Sequence, residues 1–307
     1  MTQLTPAVRN VLSWYDGERP GVKASLARLL MHGRMAGSGK LVILPVDQGF
    51  EHGPARSFAG NPAAYDPRYH FALAIKAGLS ALAAPLGLLA AGADHYAGEI
   101  PLILKANNAN SLGTVKDEAV TASIRDALEL GCSAIGYTIY PGSDRQYDMF
   151  EEVRAGAAEA RANGLAVVVW AYPRGGQLDG KAETALDVVA YGAHIAALLG
   201  AHIIKVKVPT SLIAEPEAKA SYSDGAGYGH LSSRIEHVMQ AAFNGRRLVI
   251  FSGGPARDDA AMLAEVRGVH RGGGHGSIIG RNAFQRPHDE ALKLLDRVIA
   301  IHLGEDA

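Results

Sequence analysis

The sequence is poor in the features that would set it apart from ordinary globular proteins. Its 307 residues contain one cysteine, Cys132, so no disulfide can form within the chain. The formal net charge is −1, which gives no general attraction to nucleic acid or to a membrane surface. No apolar run reaches the roughly 18 residues of a membrane span, and the N-terminus lacks the pattern of a signal peptide. These absences predict a cytoplasmic protein with neither a nucleic-acid nor a membrane partner.

Motifs that mark common cofactor and metal sites are also missing. No Gly-x-Gly-x-x-Gly follows the first predicted strand, which argues against a dinucleotide site. The twelve histidines are scattered, without a His-Glu-x-x-His motif or the paired spacing of a metal site on a helix. Cys132 begins an apolar run and is predicted to be a small core residue. We therefore expect neither a cofactor nor a catalytic metal.

Eight short apolar segments alternate with helical patterns along the chain. The strands are predicted at 41–46, 79–84, 102–105, 132–139, 165–170, 202–208, 248–251 and 277–279. The helices between and after them are predicted at 66–77, 86–94, 117–130, 145–163, 183–199, 231–244, 257–271 and 288–303. This alternation predicts an α/β fold with a parallel sheet and right-handed crossovers.

The number of strands and the length of the chain favour a closed (β/α)8 barrel of the TIM type. An open, doubly wound sheet is the alternative. We expect residues 1–307 to form a single barrel domain in which residues 1–35 are an N-terminal helical extension. Two loops, 47–65 and 209–230, exceed the usual length. Both follow strands, so in a barrel they lie at the end where active sites are built.

The sixth predicted strand carries the most unusual chemistry. Side chains alternate along a strand, so Ile203, Lys205 and Lys207 share one face. Lysine is rarely buried unless it is paired or used. One interpretation is a salt-bridged edge strand. The other is a lysine held inside a barrel to attack a carbonyl, which requires burial or a nearby cation to lower its ordinary pKa of about 10.4. Periodicity alone does not decide which lysine would react.

Three other strand ends carry polar or aromatic residues. Asp47 ends the first strand and can orient a nucleophile or carry protons, or it can simply close a turn. Lys105 ends the third strand, where it reaches either a site or solvent. Trp170 and Tyr172 share a face at the end of the fifth strand. The tyrosine hydroxyl both donates and accepts hydrogen bonds, and the alternative is an aromatic plug.

The loops after the last two strands have the composition of a phosphate site. Ser252, Gly253 and Gly254 follow the seventh strand, and Gly280 and Arg281 follow the eighth. In barrels of this kind these two loops often bind phosphate through backbone N–H groups. Arginine adds a charged hydrogen bond. The paired position of the two loops favours phosphate over simple tight turns.

Taken together and in order, these motifs resemble the archaeal-type class I fructose-bisphosphate aldolases, which also occur in bacteria. The resemblance runs from about residue 41 to 286. The motifs are Asp47-Gln48-Gly49 with Glu51-His52-Gly53-Pro54, Lys105-x-Asn107, Trp170-x-Tyr172-Pro173-Arg174-Gly175-Gly176, Lys205-x-Lys207, Ser252-Gly253-Gly254-Pro255 and Gly280-Arg281-Asn282. Such a family implies a (β/α)8 barrel, a Schiff-base lysine, no metal and a homo-oligomer.

The resemblance also implies roles for individual residues. Lys205, the first lysine of its pair, is the Schiff-base residue, Tyr172 transfers protons, Trp170 lines the site, and Asp47 and Lys105 assist. The phosphate-binding residues are Ser252, Gly253, Gly254, Gly280 and Arg281, with support from Lys207, Asn107 and His52.

The implied reaction, that of a lyase, is reversible cleavage of fructose 1,6-bisphosphate to dihydroxyacetone phosphate and glyceraldehyde 3-phosphate. Three alternatives stay open. One is another Schiff-base aldolase or transferase of the same family. The second is a sugar-phosphate isomerase or synthase that forms no covalent intermediate, and the third is a non-catalytic sensor of phosphorylated sugars. Gln48, where archaeal members often carry histidine, and the long loop after Val208 indicate the bacterial branch.

Overall fold

Eight parallel strands close into a barrel, which confirms the predicted fold class. The computed structural model describes residues 3–222, 227–252 and 258–305. Each barrel strand pairs with the next one along the chain, and the last pairs with the first. In chain order, the barrel strands are β1 (Leu41–Pro45), β2 (Ala81–Pro85), β3 (Leu102–Lys105), β6 (Ala134–Ile139), β7 (Ala166–Ala171), β8 (Ile203–Lys207), β9 (Leu248–Ser252) and β10 (Gly276–Ile278). A separate antiparallel pair consists of β4 (Asn107–Asn108) and β5 (Ala119–Val120).

Helices follow the barrel strands and surround them. The α-helices are α1 (Pro6–Ser13), α2 (Pro20–Leu30), α3 (Gln48–His52), α4 (Pro54–Phe58), α5 (Pro67–Lys76), α6 (Leu86–Ala90), α7 (Ile124–Glu129), α8 (Gln146–Ala162), α9 (Leu186–Leu198), α10 (Leu231–Ala241), α11 (Asp259–Arg271), α12 (Arg281–Phe284) and α13 (His288–Leu303). Among the described residues, short 3₁₀ helices occupy Pro62–Tyr65, Ala182–Thr184 and Lys219–Tyr222. Within the residues that the structure describes, no helix is long and apolar enough to cross a membrane.

The helix predicted over 117–130 is wrong in its first half. The helix begins only after Ser123, whose side chain and backbone form a capping box with Asp126. The preceding residues, Ala119–Val120, instead pair with Asn107–Asn108. These two strands and the loop between them, residues 107–120, form a hairpin that we call the β4–β5 hairpin. Its position brings residues from outside the barrel sheet towards the ends of β3 and β6.

Strand alternation divides the core into two layers. Ile203 belongs with Val168 and Ile250 to a buried cluster inside the barrel, whereas Ile204 and Val206 belong to the cluster between the barrel and its helices. The predicted faces of β8 are therefore confirmed. Burial of each such aliphatic side chain contributes about 1.5–3 kcal/mol to folding.

Helices α1 and α2 cover the amino-terminal end of the barrel. Leu26 and Leu29 are fully buried in the same cluster as the interior strand residues. The Tyr15 hydroxyl donates to the backbone oxygen of His202 over 2.6 Å and accepts from the backbone nitrogen of Leu248 over 3.0 Å. The N-terminal helices thus close one end and leave the carboxyl-terminal end of the barrel open.

Candidate active site

A cavity of about 970 Å³ opens at the carboxyl-terminal ends of the strands. Its lining brings together side chains that the sequence places on five different strands or the loops after them: Asp47, Tyr172, Lys205, Ser252 and Arg281. His52, Lys207 and Gly280 also line it. Active sites of TIM barrels lie at this end because the loops there converge. The structure therefore gathers most of the predicted site residues around one space.

Lys205 lies on the inner face of β8, where its residue is 6% exposed. Burial, which penalises the charged ammonium, lowers the pKa of Lys205 to about 8. The carboxylates of Asp47 and Glu51 raise this pKa, while the cations of Lys105 and Lys207 lower it by smaller amounts than burial does. The neutral amine required for attack on a carbonyl is thus available near neutral pH.

Lys207 differs from Lys205 in both position and partner. Its Nζ donates to Oε2 of Glu183 over 2.7 Å, and its side chain is 25% exposed. Its Nζ also lies 5.9 Å from the centre of the Tyr172 ring. Lys207 therefore belongs to an ion pair at the rim. It contributes to the lowered pKa of Lys205, but less than burial and less than Lys105.

Tyr172 and Trp170 flank the buried lysine. The Nζ of Lys205 lies 4.4 Å from the centre of the Tyr172 ring. Trp170 is 1% exposed and stands beside Lys205 on the neighbouring strand in register. Its ring fills the space over Gly136, where a Cβ atom would lie 1.9 Å from the ring. Glycine at this position of β6 is thus required by the tryptophan beside the lysine.

Lys105 is buried at the end of β3 and does not reach solvent. Its ammonium donates to the backbone oxygen of Asn107 and lies 3.5 Å from Oε2 of Glu118. The side chain of Asn107 binds the backbone of Thr138 with both its oxygen and its nitrogen, over 2.7 and 2.9 Å. Asn107 therefore supports the site by joining the β4–β5 hairpin to β6.

Two acids and a histidine line one side of the cavity, on the short helix after β1. Asp47 is 5% exposed, and the backbone nitrogen of Glu51 donates to its backbone oxygen over 3.1 Å. Burial and the nearby Asp47 raise the pKa of Glu51 to about 7. Burial lowers the pKa of His52, and Arg281 and Arg56 lower it further. One helical turn thus presents groups that can exchange protons near neutral pH.

The predicted phosphate site is only partly within the described residues. Ser252, Gly280 and Arg281 line the cavity, and Gly280 approaches Pro45 so closely that a Cβ atom would lie 2.8 Å from its backbone oxygen. Arg281 begins the short helix α12. Gly253 and Gly254 lie outside the described residues.

Three residues that contribute to the site were not among those predicted from the sequence. Glu51 and Arg174 stand inside motifs that were recognised, so their motif membership was the available signal. Arg174 lines the cavity and its guanidinium lies 5.4 Å from the centre of the Tyr172 ring. Glu118 gave no signal, because the helix predicted over this segment placed it away from the strand ends.

The described side chains of 3–222, 227–252 and 258–305 contain no group of three or more His, Cys, Asp or Glu residues placed to hold a metal ion. Cys132 is buried, and burial raises the pKa of its thiol to about 12. It is the core residue that the sequence predicts.

Comparison with known proteins decides the family. A family model described as DeoC/LacD family aldolase matches residues 41–286. The chain belongs to this family. The boundaries of the match coincide with the range over which the sequence motifs resemble class I fructose-bisphosphate aldolases, so that resemblance is confirmed. This DeoC/LacD family member is therefore an aldolase.

Two similar proteins carry the name of the same enzyme class. The chain is 37% identical over 295 residues to the probable fructose-bisphosphate aldolase class 1 of Chlamydia muridarum, with 92% of this chain and 84% of the relative covered. It is 37% identical over 257 residues to the fructose-bisphosphate aldolase class 1 of Thermoproteus tenax, with 83% and 86% covered.

A solved structure with a similar fold contains a covalent reaction intermediate. It is an archaeal fructose-1,6-bisphosphate aldolase whose catalytic lysine is covalently bound to the carbinolamine intermediate of the substrate. The two chains share 34% sequence identity and a TM-score of 0.75, with 90% of this chain and 98% of the other covered. The likeness extends over the whole barrel.

Proposed function

We propose that this DeoC/LacD family member is a class I fructose-bisphosphate aldolase that reversibly cleaves fructose 1,6-bisphosphate to dihydroxyacetone phosphate and glyceraldehyde 3-phosphate. One observation carries the proposal: Lys205 is a buried lysine at the mouth of the barrel, with a pKa of about 8, in contact with an aromatic hydroxyl residue. Relatives named as class 1 enzymes support the same reaction.

The proposed reaction begins with attack of the neutral Lys205 amine on the C2 ketone. The resulting carbinolamine loses water to give an iminium ion, which withdraws electrons from C3. The C3–C4 bond then breaks as the Tyr172 hydroxyl receives the proton of the C4 hydroxyl and passes its own proton on to the carboxylate of Asp47, and glyceraldehyde 3-phosphate departs. Protonation of the enamine at C3 and hydrolysis of the iminium release dihydroxyacetone phosphate and return the free lysine. Asp47 and Lys105 assist proton movement and charge balance, and Trp170 lines the site.

The charge of the cavity supports a substrate with phosphate at both ends. Arg281 with Ser252 and Gly280 stands on the side formed by the last two strands. Arg56 and Arg174 line other parts of the same cavity. Guanidinium groups bind phosphate through charged, paired hydrogen bonds. In this proposal Ser252, Gly253, Gly254, Gly280 and Arg281 bind the phosphate next to the ketone, and His52 and Lys207 support the site.

We further propose that residues 1–307 form one barrel domain that works as a cytoplasmic homo-oligomer on a phosphorylated sugar. The family resemblance supports assembly, and the near-zero net charge and single cysteine agree with the location. Sedimentation of the purified protein measures the number of subunits, and a monomer at micromolar concentration would contradict the assembly.

Borohydride trapping tests the covalent mechanism directly. The protein incubated with dihydroxyacetone phosphate and borohydride should lose aldolase activity and gain the mass of one reduced adduct per chain. A non-covalent isomerase or synthase, or a sensor, would gain no mass. Protein treated with borohydride alone is the control. An active cleavage reaction without any adduct would overturn the Schiff-base mechanism and leave the substrate assignment.

A further inference from the structure

A buried carboxylate of the β4–β5 hairpin lies behind the candidate site. The side chain of Glu118 is 0% exposed. Its Oε1 accepts a hydrogen bond from the Tyr140 hydroxyl, and its Oε2 lies 3.5 Å from Nζ of Lys105. Lys105 belongs to β3 and Tyr140 follows β6. One carboxylate from outside the barrel thus holds groups from two barrel strands.

The contact with Tyr140 continues to the reacting lysine. The guanidinium of Arg174 lies 4.6 Å from the centre of the Tyr140 ring and 5.4 Å from the centre of the Tyr172 ring. Tyr172 in turn lies 4.4 Å from Nζ of Lys205. A guanidinium between two aromatic rings restricts the position of both. A shift of Tyr140 is therefore transmitted to the ring beside Lys205.

The buried position of Glu118 is unfavourable for the stability of the fold. A buried charge lowers the stability of the fold unless it is paired and hydrogen-bonded. Its Oε2 makes no hydrogen bond to any residue that the structure describes, so the pairing with Lys105 is by charge alone. An apolar residue of similar size at such a position would avoid the desolvation penalty of a buried charge. The carboxylate is thus better explained by what it holds than by folding.

We propose that Glu118 is a positioning residue for the reaction, which holds the Lys105 ammonium with one carboxylate oxygen and the Tyr140–Arg174–Tyr172 stack with the other. This role rests on the proposed function. Glu118 is not among the residues that line the cavity, so it acts through these neighbours. A misplacement of about 1 Å in such a stack is enough to slow a reaction by roughly 100-fold.

The charges that face Glu118 predict the effect of removing its own. Lys105 approaches from β3, Tyr140 from the end of β6, and Glu51 from α3. With glutamine at 118, the ammonium of Lys105 loses its counter-charge and acts more strongly on Lys205, whose pKa it already lowers. Glu51, whose pKa Glu118 raises, ionises more readily in the variant and acts on Lys205 in the opposite direction. The acidic limb of the pH profile of kcat/KM should therefore move by the difference between these two effects. Tyr140→Phe changes no charge and should leave that limb in place.

Three variants test the proposal beside the wild type. Glu118→Gln should lower kcat about 10–100-fold with KM changed less than about threefold, and should shift the pH profile. Tyr140→Phe should lower kcat without the shift. Asp117→Asn is the matched control, because this neighbouring acid faces outwards, 35% exposed and 3.3 Å from Arg145. It should keep the wild-type kcat, KM and pH profile.

The outcomes separate this role from the function itself. If Glu118→Gln fails to fold, as measured by circular dichroism and thermal unfolding, kcat of Tyr140→Phe decides the proposal. Wild-type kcat in Tyr140→Phe, or wild-type kcat and pH profile in a folded Glu118→Gln, would overturn the role. Equal losses in Asp117→Asn would also overturn it by pointing to the hairpin as a whole. An inactive, untrapped wild type would overturn the proposed function and this role with it.

Discussion

The two ends of the barrel both bury ionisable groups, but they use them differently. At the amino-terminal end, Nδ1 of His202 accepts from the backbone nitrogen of Val167 over 2.9 Å, and Nδ1 of His275 accepts from that of Val249 over 3.2 Å. Burial lowers the pKa of both histidines, that of His275 to about 4. At the carboxyl-terminal end, burial lowers the pKa of Lys205, which lines an open cavity.

The difference shows what makes a shifted pKa informative. Burial displaces ionisation equilibria at both ends, so the shift by itself does not mark a reactive group. The histidines at the closed end accept hydrogen bonds from backbone amides, which is a structural role. At the open end the shifted lysine faces space that a substrate can enter. A perturbed pKa combined with a cavity is the observation that indicates chemistry.

The largest expected effect concerns the two lysines of β8 at the open end. Lys205→Met should abolish both aldol cleavage and borohydride trapping, because it removes the attacking amine. Lys207→Met should still be trapped, more slowly and with a slightly more alkaline pH optimum, since loss of a nearby cation raises the pKa of Lys205. Peptide mass mapping locates the adduct in the wild type. An adduct on Lys207 would reverse the assignment.

Tyr172→Phe should have the next largest effect. The variant keeps the ring that packs against Lys205 but loses the hydroxyl, so kcat should fall by about 10²–10⁴. The rate of adduct formation with dihydroxyacetone phosphate should fall less, because imine formation precedes the step assigned to Tyr172. Stopped-flow measurement of cleavage beside quantitative trapping separates the two. Near-normal turnover would transfer the proton-carrying role to Asp47.

Arg281→Ala should weaken binding of phosphorylated substrate. Loss of a hydrogen bond to a charged group costs about 1.5–3 kcal/mol, which should appear mainly in KM. Arg125→Ala provides the control, because Arg125 is exposed on α7 and pairs with Glu129. Steady-state kinetics with fructose 1,6-bisphosphate gives the comparison. An unchanged KM in Arg281→Ala would place the phosphate elsewhere.

Tyr15→Phe sharpens the contrast from the closed end. It removes one hydroxyl that serves two backbone groups, so the free energy of unfolding should fall by about 1–3 kcal/mol. The activity of the folded protein should stay unchanged, because Tyr15 lies at the opposite end from the cavity. Tyr147→Phe, at an exposed position, should change neither quantity. Chemical denaturation gives the free energy of unfolding of both variants, and steady-state kinetics gives their kcat. A loss of kcat in Tyr15→Phe would show that the two ends are coupled.

The smallest expected effect is that of chelation. Exhaustive treatment with a chelator should leave aldol cleavage unchanged, because the proposed mechanism polarises the ketone through the iminium ion of Lys205. Activity before and after treatment, and after addition of zinc, makes the comparison. Activity that is lost on chelation and restored by zinc would contradict the class I mechanism.

The barrel was predictable because its strands are marked locally. Short runs of β-branched residues follow helix-ending glycines such as Gly131, Gly164 and Gly200, and each predicted barrel strand overlaps an observed one. The β4–β5 hairpin was not predictable in the same way. Its two strands pair at two positions across a loop, and its sequence carries a helical pattern that the capping box at Ser123 restricts.

The sequence predicted which strand ends form the candidate site, but it did not predict which of their side chains contact one another. Alternation placed Lys205 and Lys207 on one face and could not rank them. Their difference depends on depth and on Glu183, which comes from a 3₁₀ helix 24 residues away along the chain. Glu118 depends in the same way on contacts between segments distant in sequence. Such contacts follow from the closed barrel and not from any local pattern.

The two hydrogen bonds of the Tyr15 hydroxyl constrain the order in which a newly synthesised chain can fold. The two partners of this hydroxyl lie 187 and 233 residues further along the chain. At synthesis rates of about 5–20 residues per second, helices α1 and α2 must wait tens of seconds for strands made much later. During that interval Leu26 and Leu29 have no barrel to cover and are open to chaperones or to other nascent chains. Helices made before most of the barrel are thus among the last elements that can dock.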